Sequence, residues 1–311
     1  MGIIKGICIS EKRGTQKHEV SEAKLIADWG IENDAHAGHW HRQVSLLSLE
    51  KIEAFRARGV EVEFGAFGEN LVVEGFDLSK VPVGTKFQIG EAILELTQIG
   101  KECHSHCAIY KVMGDCIMPR EGVFTRVLKG GEIKAGDEIT MLPLEKDRPF
   151  TAAVITLSDK GAAGEREDKS GPLIQEMLMK EGYDVIETLL LPDGEQPLKH
   201  QLMRLADQRQ VNVIFTTGGT GFAERDVTPE ATQAVCDRMA MGIADAIRQY
   251  SLSITGRAML SRAVSGIRKK TLIVNLPGSP KAVKESLEYV LPHLGHGLGI
   301  LRGTDGECGN S

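Results

Sequence analysis

Val211-Asn-Val-Ile-Phe-Thr-Thr-Gly-Gly-Thr-Gly221 is the stretch that decides how the second half of this chain folds. A short apolar run bounded by turn residues reads as a buried strand. This one ends directly in glycines, followed by Arg225-Asp226 and by Thr228-Pro-Glu230, which opens a helix. Glycines let backbone N–H groups approach a ligand closely, and a helix N-terminus adds partial positive charge. Thr228 reads as the N-cap, with Pro229 at the first helical position. Taken alone, the glycines fit an ordinary turn better than an anion-binding loop, since a glycine cluster is a weak signal.

Working outward, the same rhythm repeats. Strands are predicted over 152–157, 184–191 and 271–275. Helices are predicted over 171–181 and 197–208, and from Pro229, Ile243 and Lys281. Alternating strands and helices make an α/β domain with a mostly parallel sheet and helices on both faces. Ligands of such sheets gather at the carboxyl ends of the strands. Polar groups fall there: Thr156-Leu-Ser-Asp159, Leu191-Pro-Asp193 and Asn275-Leu-Pro-Gly-Ser279. Asp159, Asp193 and Asp226, one acidic residue after each of three strands, are the donor set Mg2+ uses alongside substrate phosphates.

The first half has a different texture. Residues 2–10, 43–48, 69–74, 86–98 and 138–142 are short runs rich in Val, Ile, Leu and Thr, with a helix over 49–58 between them. Gly-containing turns such as 81–85 and 129–137 separate them. Many short strands of this kind predict a β-rich barrel, closed so that no edge is exposed. The charged, Pro-containing stretch Glu145-Lys-Asp-Arg-Pro-Phe150 marks the boundary, giving domains 1–145 and 150–311. Six of the nine histidines and four of the six cysteines precede it, so thiol or imidazole chemistry belongs to the first half.

Composition sets the outer limits. The 311 residues carry 37 basic and 43 acidic side chains, a net charge of -6, so nucleic acid is a poor partner. No run approaches the roughly 18 apolar residues that span a bilayer, and none is expected to meet a membrane. The opening Met1-Gly-Ile-Ile-Lys-Gly-Ile-Cys-Ile-Ser10 reads as a strand rather than an export signal. Cysteines without an export signal argue for reduced thiols and a cytoplasmic location.

Residues 151–311 resemble the MogA/MoaB family of molybdopterin-binding proteins. The resemblance is carried by 156–159, Asp168-Lys-Ser-Gly-Pro172, 191–193, 216–229, 242–249 and 273–280. It implies Mg2+-dependent adenylyl transfer from ATP to molybdopterin. Asp193 and Asp226 would be the catalytic, metal-holding carboxylates. Gly218, Gly219, Thr220, Gly221 and Thr228 would serve the phosphates. Ser158, Asp159, Ser170, Asn275, Pro277, Gly278 and Ser279 would line the rest of the pocket. The other reading of this half is a carrier that binds molybdopterin without turning over ATP.

The first half holds Cys103-His-Ser-His-Cys107. Zinc is disfavoured because the cluster is compressed and no second Cys/His pair sits at finger-like distance. A reactive thiolate and an inert buried cysteine are the remaining readings. Asn33-Asp-Ala-His-Ala-Gly38, Arg42-Gln-Val-Ser-Leu-Leu-Ser48, Phe67-Gly-Glu-Asn-Leu71 and 122–137 appear in order, and together resemble the MOSC domain. That resemblance covers about residues 1–142. It implies binding of the molybdopterin form of the cofactor, with Cys107 or Cys103 as the functional thiol in a sulfur relay or as a metal ligand. His36, Arg42 and Arg126 would contact an anionic ligand. Implied partners are molybdopterin, ATP, and a sulfur donor or molybdoenzyme acceptor. A homo-oligomer, trimer or hexamer, is implied as well.

Overall fold

The computed structural model describes residues 1–102, 110 and 114–305. The chain divides into two units, Met1–Glu145 and Lys146–Ser311. The first contains β1 (Gly2–Ile9), β2 (His18–Val20), β3 (Glu22–Ile26), β4 (Gly30–Ile31), β5 (Val44–Ser48), β6 (Leu71–Glu74), β7 (Lys86–Ile89), β8 (Ala92–Ile99), β9 (Val123–Lys129), β10 (Gly131–Lys134) and β11 (Glu138–Met141). Seven of these close on themselves in the order β1-β11-β7-β8-β9-β5-β6, with β6 returning to β1. The predicted barrel is therefore present, and closure removes the open edges that would invite pairing with another chain.

Alternation sorts the side chains. Leu46, Leu71, Val73, Phe87, Leu94 and Val127 fill the barrel. Leu47 and Val72, one residue out of phase, join Ile52 and Phe55 of the helix Leu49–Arg56 in a second cluster. Strands β5 and β6 are thus buried on both faces, which is why they read as continuous apolar runs.

Two local expectations change. The run 86–98 is not one strand but the hairpin β7–β8, with Ile89 opposite Ala92 and Gly90 turning at φ +55°. The stretch 129–137, read as a turn, contains β10, which pairs with β3. Only Ile133 of β10 is buried, so its sequence carries no strand signal of its own.

The second unit contains β12 (Thr151–Leu157), β13 (Asp184–Leu191), β14 (Val213–Thr217), β15 (Arg238–Met239), β16 (Ser265–Arg268) and β17 (Thr271–Leu276). Their order is β13-β12-β14-β17-β16-β15. The first four are mutually parallel, and β16 and β15 extend the sheet antiparallel. The antiparallel extension goes beyond the predicted strands, because β15 is two exposed residues.

Helices cover both faces. Ala152, Val154, Val213 and Phe215 pack with the helices Ser170–Lys180 and Pro280–Arg302. Ala153, Ile155 and Ile214 pack with Glu195–Met203 and Thr228–Val235. The helix predicted over 197–208 is α-helical only to Met203 and ends in a π-helical turn, Arg204–Gln208.

From β12 the chain moves outward to β13 and then returns past β12 to β14. The crossovers therefore diverge between β12 and β14, where open parallel sheets place their ligand crevice. Among the described residues no helix is long and apolar enough to cross a membrane.

Candidate functional sites

A cleft of about 660 Å³ opens at the carboxyl ends of β12 and β14. The glycine turn forms its floor. Gly218 and Gly219 adopt φ +95° and +63°. A Cβ on Gly218 would lie 2.4 Å from the Leu157 carbonyl oxygen, and one on Gly219 would lie 2.4 Å from Thr228 Oγ1. Only glycine satisfies both the backbone conformation and the close approach.

Hydroxyls lock the turn in place. Thr228 Oγ1 donates to the Gly218 carbonyl at 2.9 Å, and Thr217 Oγ1 donates to the Pro277 carbonyl at 2.6 Å. Thr228 is thus not the helix cap expected from sequence. It is the first helical residue, and its hydroxyl turns back to the glycines.

The three strand-end carboxylates have separate roles. Asp159 and Asp193 bind reciprocally: the Asp159 amide donates to Asp193 Oδ2 at 3.1 Å, and the Asp193 amide donates to Asp159 Oδ1 at 2.9 Å. This exchange ties the ends of β12 and β13. Asp226 Oδ2 accepts from the Ala223 amide at 3.0 Å.

Asp193 and Asp226 both line the cleft. Burial raises the Asp193 carboxyl above its ordinary range, and the nearby charges of Asp159 and Asp226 add to this. The Asp159 amide and the Arg225 charge act in the opposite direction. Among the described residues no group of three His, Cys, Asp or Glu side chains could by itself hold a metal ion. Two carboxylates facing one cleft suit Mg2+ nonetheless, since that ion completes its shell with water and substrate phosphate.

Ser158 and Ser170 complete the near wall. Ser158 Oγ accepts from the Gly161 amide and from Arg166 Nη2 at 3.0 Å. Ser170 Oγ donates to the Gly278 carbonyl at 2.9 Å. Asp168 Oδ1 accepts the Ser170 and Gly171 amides, both at 3.0 Å, and so occupies the start of the helix that follows. Gly278 and Ser279 border the same cleft, with Arg166, Lys169 and Arg225 as its cations.

Other residues predicted for the pocket lie outside its lining. Asn275 is fully buried; its Nδ2 donates to Thr216 and Thr232 hydroxyls, both at 2.9 Å, and its Oδ1 accepts from the Val264 amide. It holds β14, β17 and a helix together, with both ends of its amide already used. The Pro277 carbonyl accepts from Thr217, and the carbonyls of Thr220 and Gly221 accept from Arg262. Asp159 is exposed beside Asp193. Arg262 escaped the sequence reading altogether, because its partners lie more than 30 positions earlier and nothing local marks it.

In the first unit Cys103 and Cys107 lie outside the described residues. His36 and Arg42 come together around Trp40. The indole Nε1 donates to the His36 carbonyl at 3.0 Å, and the Arg42 guanidinium lies 4.8 Å from the indole centroid. Arg126 is engaged elsewhere: its guanidinium pairs with Glu95 on the neighbouring strand, so its charge is already met.

Behind His36 lies a charged pair that the sequence did not reveal. Lys17 Nζ is 2.6 Å from Asp34 Oδ1, with the two side chains 1% and 0% exposed. Asp34 also accepts from the Ser10 amide and Asn70 Nδ2. Burial pushes the Asp34 carboxyl up, but hydrogen bonds from His36 and Lys17, the Lys17 charge and the Ser10 amide outweigh it and hold the group well below the usual range. Cys8 is buried, and burial drives its thiol far above the reactive range.

A doubly wound domain with glycines, hydroxyls and carboxylates at its topological switch has the arrangement that ligand-binding α/β domains share. Residues 153–296 match the family described as "Probable molybdopterin binding domain", and residues 33–140 match the MOSC domain. The molybdopterin adenylyltransferase of Helicobacter pylori is 40% identical over 153 residues, covering 49% of this chain and 87% of that protein. The molybdopterin adenylyltransferase of Haemophilus influenzae is 45% identical over 139 residues, 44% of this chain and 71% of that protein. Among solved structures, the molybdopterin biosynthesis enzyme MoaB of Thermus thermophilus is 45% identical, covering 50% of this chain and 97% of that one with a TM-score of 0.48. The chain belongs to the MogA/MoaB family of molybdopterin-binding proteins through its second unit, and carries a MOSC domain in its first.

Proposed function

We propose that the second unit adenylylates molybdopterin in molybdenum cofactor biosynthesis. The observation that carries this reading is one cleft that gathers Asp193, Asp226, the Gly218-Gly219 turn and the Ser158 and Ser170 hydroxyls. In the reaction a phosphate oxygen of molybdopterin attacks the α-phosphorus of ATP. The bond to the bridging oxygen breaks, and pyrophosphate leaves. Asp193 and Asp226 would hold Mg2+, which when bound neutralises phosphate charge and aligns the two substrates.

The chain's own contribution is placement. The glycine turn lets a phosphate approach the backbone, and Arg166, Lys169 and Arg225 offset its charge. Bound cation would also favour the ionised form of Asp193, against the burial that raises it. The MOSC unit would bind the cofactor near His36 and Arg42; in a relay the thiolate of Cys107 or Cys103 would take the outer sulfur of a donor persulfide, releasing the donor thiolate, and pass it on to a molybdoenzyme.

The test is pyrophosphate release from ATP by the full chain with molybdopterin and Mg2+, compared with Asp226→Ala. Turnover by the wild type and a loss on the order of 100-fold or more in the variant is expected. Molybdopterin binding without any ATP-dependent product would refute the enzyme reading and leave the carrier.

A further inference from the structure

The loop that bears Asp226 is fastened from outside the cleft by a single residue. Arg262 sits between the 3-10 turn Gly256–Leu260 and β16. Its backbone N–H donates to the Thr220 carbonyl at 3.0 Å, and its Nε donates to the Gly221 carbonyl at 2.7 Å. Its Nη2 donates to the Asp226 carbonyl, and its Nη1 pairs with the Glu230 carboxylate. All four contacts go to residues 220–230.

The loop needs such a fastening. Between Gly221 and Asp226 it is exposed, with Phe222 at 72%. Its internal bonds are short-range, such as Ala223 N to Asp226 Oδ2. The guanidinium bridges the carbonyls at the two ends of this segment, which fixes where Asp226 can point. It does so from an adjoining hollow of about 490 Å³ shared with Phe222 and Glu230; Asp226 lines both this hollow and the cleft, whereas Arg262 does not line the cleft itself. A planar fork of donors can serve two carbonyls at once, whereas a lysine ammonium on a flexible stem acts as a single point charge.

We propose that Arg262 is a positioning residue for the adenylyl-transfer site. By bridging Gly221 and Asp226 it holds the loop so that the Asp226 carboxylate faces the cleft, where it would hold Mg2+. This rests on the functional reading of the cleft given above. Glu230 only anchors the guanidinium, so charge at that position matters less than the bridge.

The experiment uses the full chain as wild type, Arg262→Ala, Arg262→Lys and Glu230→Gln. Hydrogen exchange without substrate is expected to show amides 221–227 exchanging on the order of tenfold faster in both Arg262 variants. Amides of β14 and β17 should not change, which separates loosening of the loop from unfolding. In turnover both Arg262 variants should lose kcat on the order of 10- to 100-fold, and the Mg2+ concentration for half-maximal rate should rise about tenfold. Partial unfolding alone would lower the rate without moving that Mg2+ dependence. Glu230→Gln should stay within about threefold of wild type.

Unchanged loop exchange in Arg262→Ala overturns the proposal. So does a loosened loop with unaltered kcat and Mg2+ dependence. A wild-type chain that releases no pyrophosphate instead refutes the functional reading, and the exchange result still decides whether Arg262 holds the loop.

Discussion

Replacing Lys17 by Met removes one half of a buried ion pair. The ammonium lies 2.6 Å from Asp34 Oδ1, and neither side chain meets solvent. Met matches the aliphatic stem of lysine, so little packing is lost. The carboxylate left behind keeps the Ser10 and His36 amides and Asn70 Nδ2, but loses its buried opposite charge; the partly exposed His36 imidazole, 3.8 Å away, meets it only when protonated. Breaking a buried pair in this way costs about 3–5 kcal/mol.

The assay is built into the sequence. Both tryptophans of the chain, Trp29 and Trp40, lie in the first unit, so fluorescence follows that unit's unfolding in the intact protein. At an m value of about 2 kcal/mol/M in urea, the loss is a downward shift of roughly 1.5–2.5 M in the midpoint. The double variant Lys17→Met/Asp34→Asn removes both charges and should recover more than about 1 kcal/mol of that loss. A single-variant cost under about 1 kcal/mol, or a double variant worse than the single, would refute the account of the pair as buried and mutually dependent.

Two further outcomes follow from the same geometry. Glu69 is fully buried against the Gly65 and Phe67 amides, and burial raises its carboxyl from 4.5 to about 7 in spite of those donors. The folded chain therefore keeps a proton that the unfolded chain has released, so stability is full below about pH 4.5 and declines as the pH rises to about 7. The decline is up to about 3 kcal/mol. Urea midpoints at about pH 5 and pH 8 should show it in wild type and not in Glu69→Gln; an equal decline in both excludes Glu69 as the cause. Gly218→Ala places a Cβ 2.4 Å from the Leu157 carbonyl at φ +95° and should cost more than about 2 kcal/mol, read as a lowered thermal midpoint by far-UV circular dichroism. A midpoint within a degree of wild type would show that the turn can shift without cost.

The strand-end motifs were legible because their physics is local. The run from Val211 to Gly221 is a buried strand that must stop at glycine, and Asp193 and Asp226 sit where such strands end. What was missed is pairing at a distance. Strands β10 and β15 have almost no apolar signature and exist because β3 and β16 supply the partner. Asn275 looked like a pocket residue because it ends the predicted strand, but its side chain points into the layer under the helix Thr228–Val235. Thr228 has an N-cap's composition and spacing, yet the nearby Gly218 carbonyl takes its hydroxyl.

The sequence by itself determined two domains, the sheet of the second, the barrel of the first, and the family to which the chain belongs. Periodicity, glycine and helix-start chemistry act within a few residues, so they can be read along the chain. Only the tertiary structure decided which charges are spent and which face a ligand. It set Arg126 against Glu95, buried Lys17 with Asp34, and brought Arg262 to the loop of Asp226. Hydrogen bonds and ion pairs reward proximity in space, and the partners that settle a charged side chain's role lie tens of residues away along the chain.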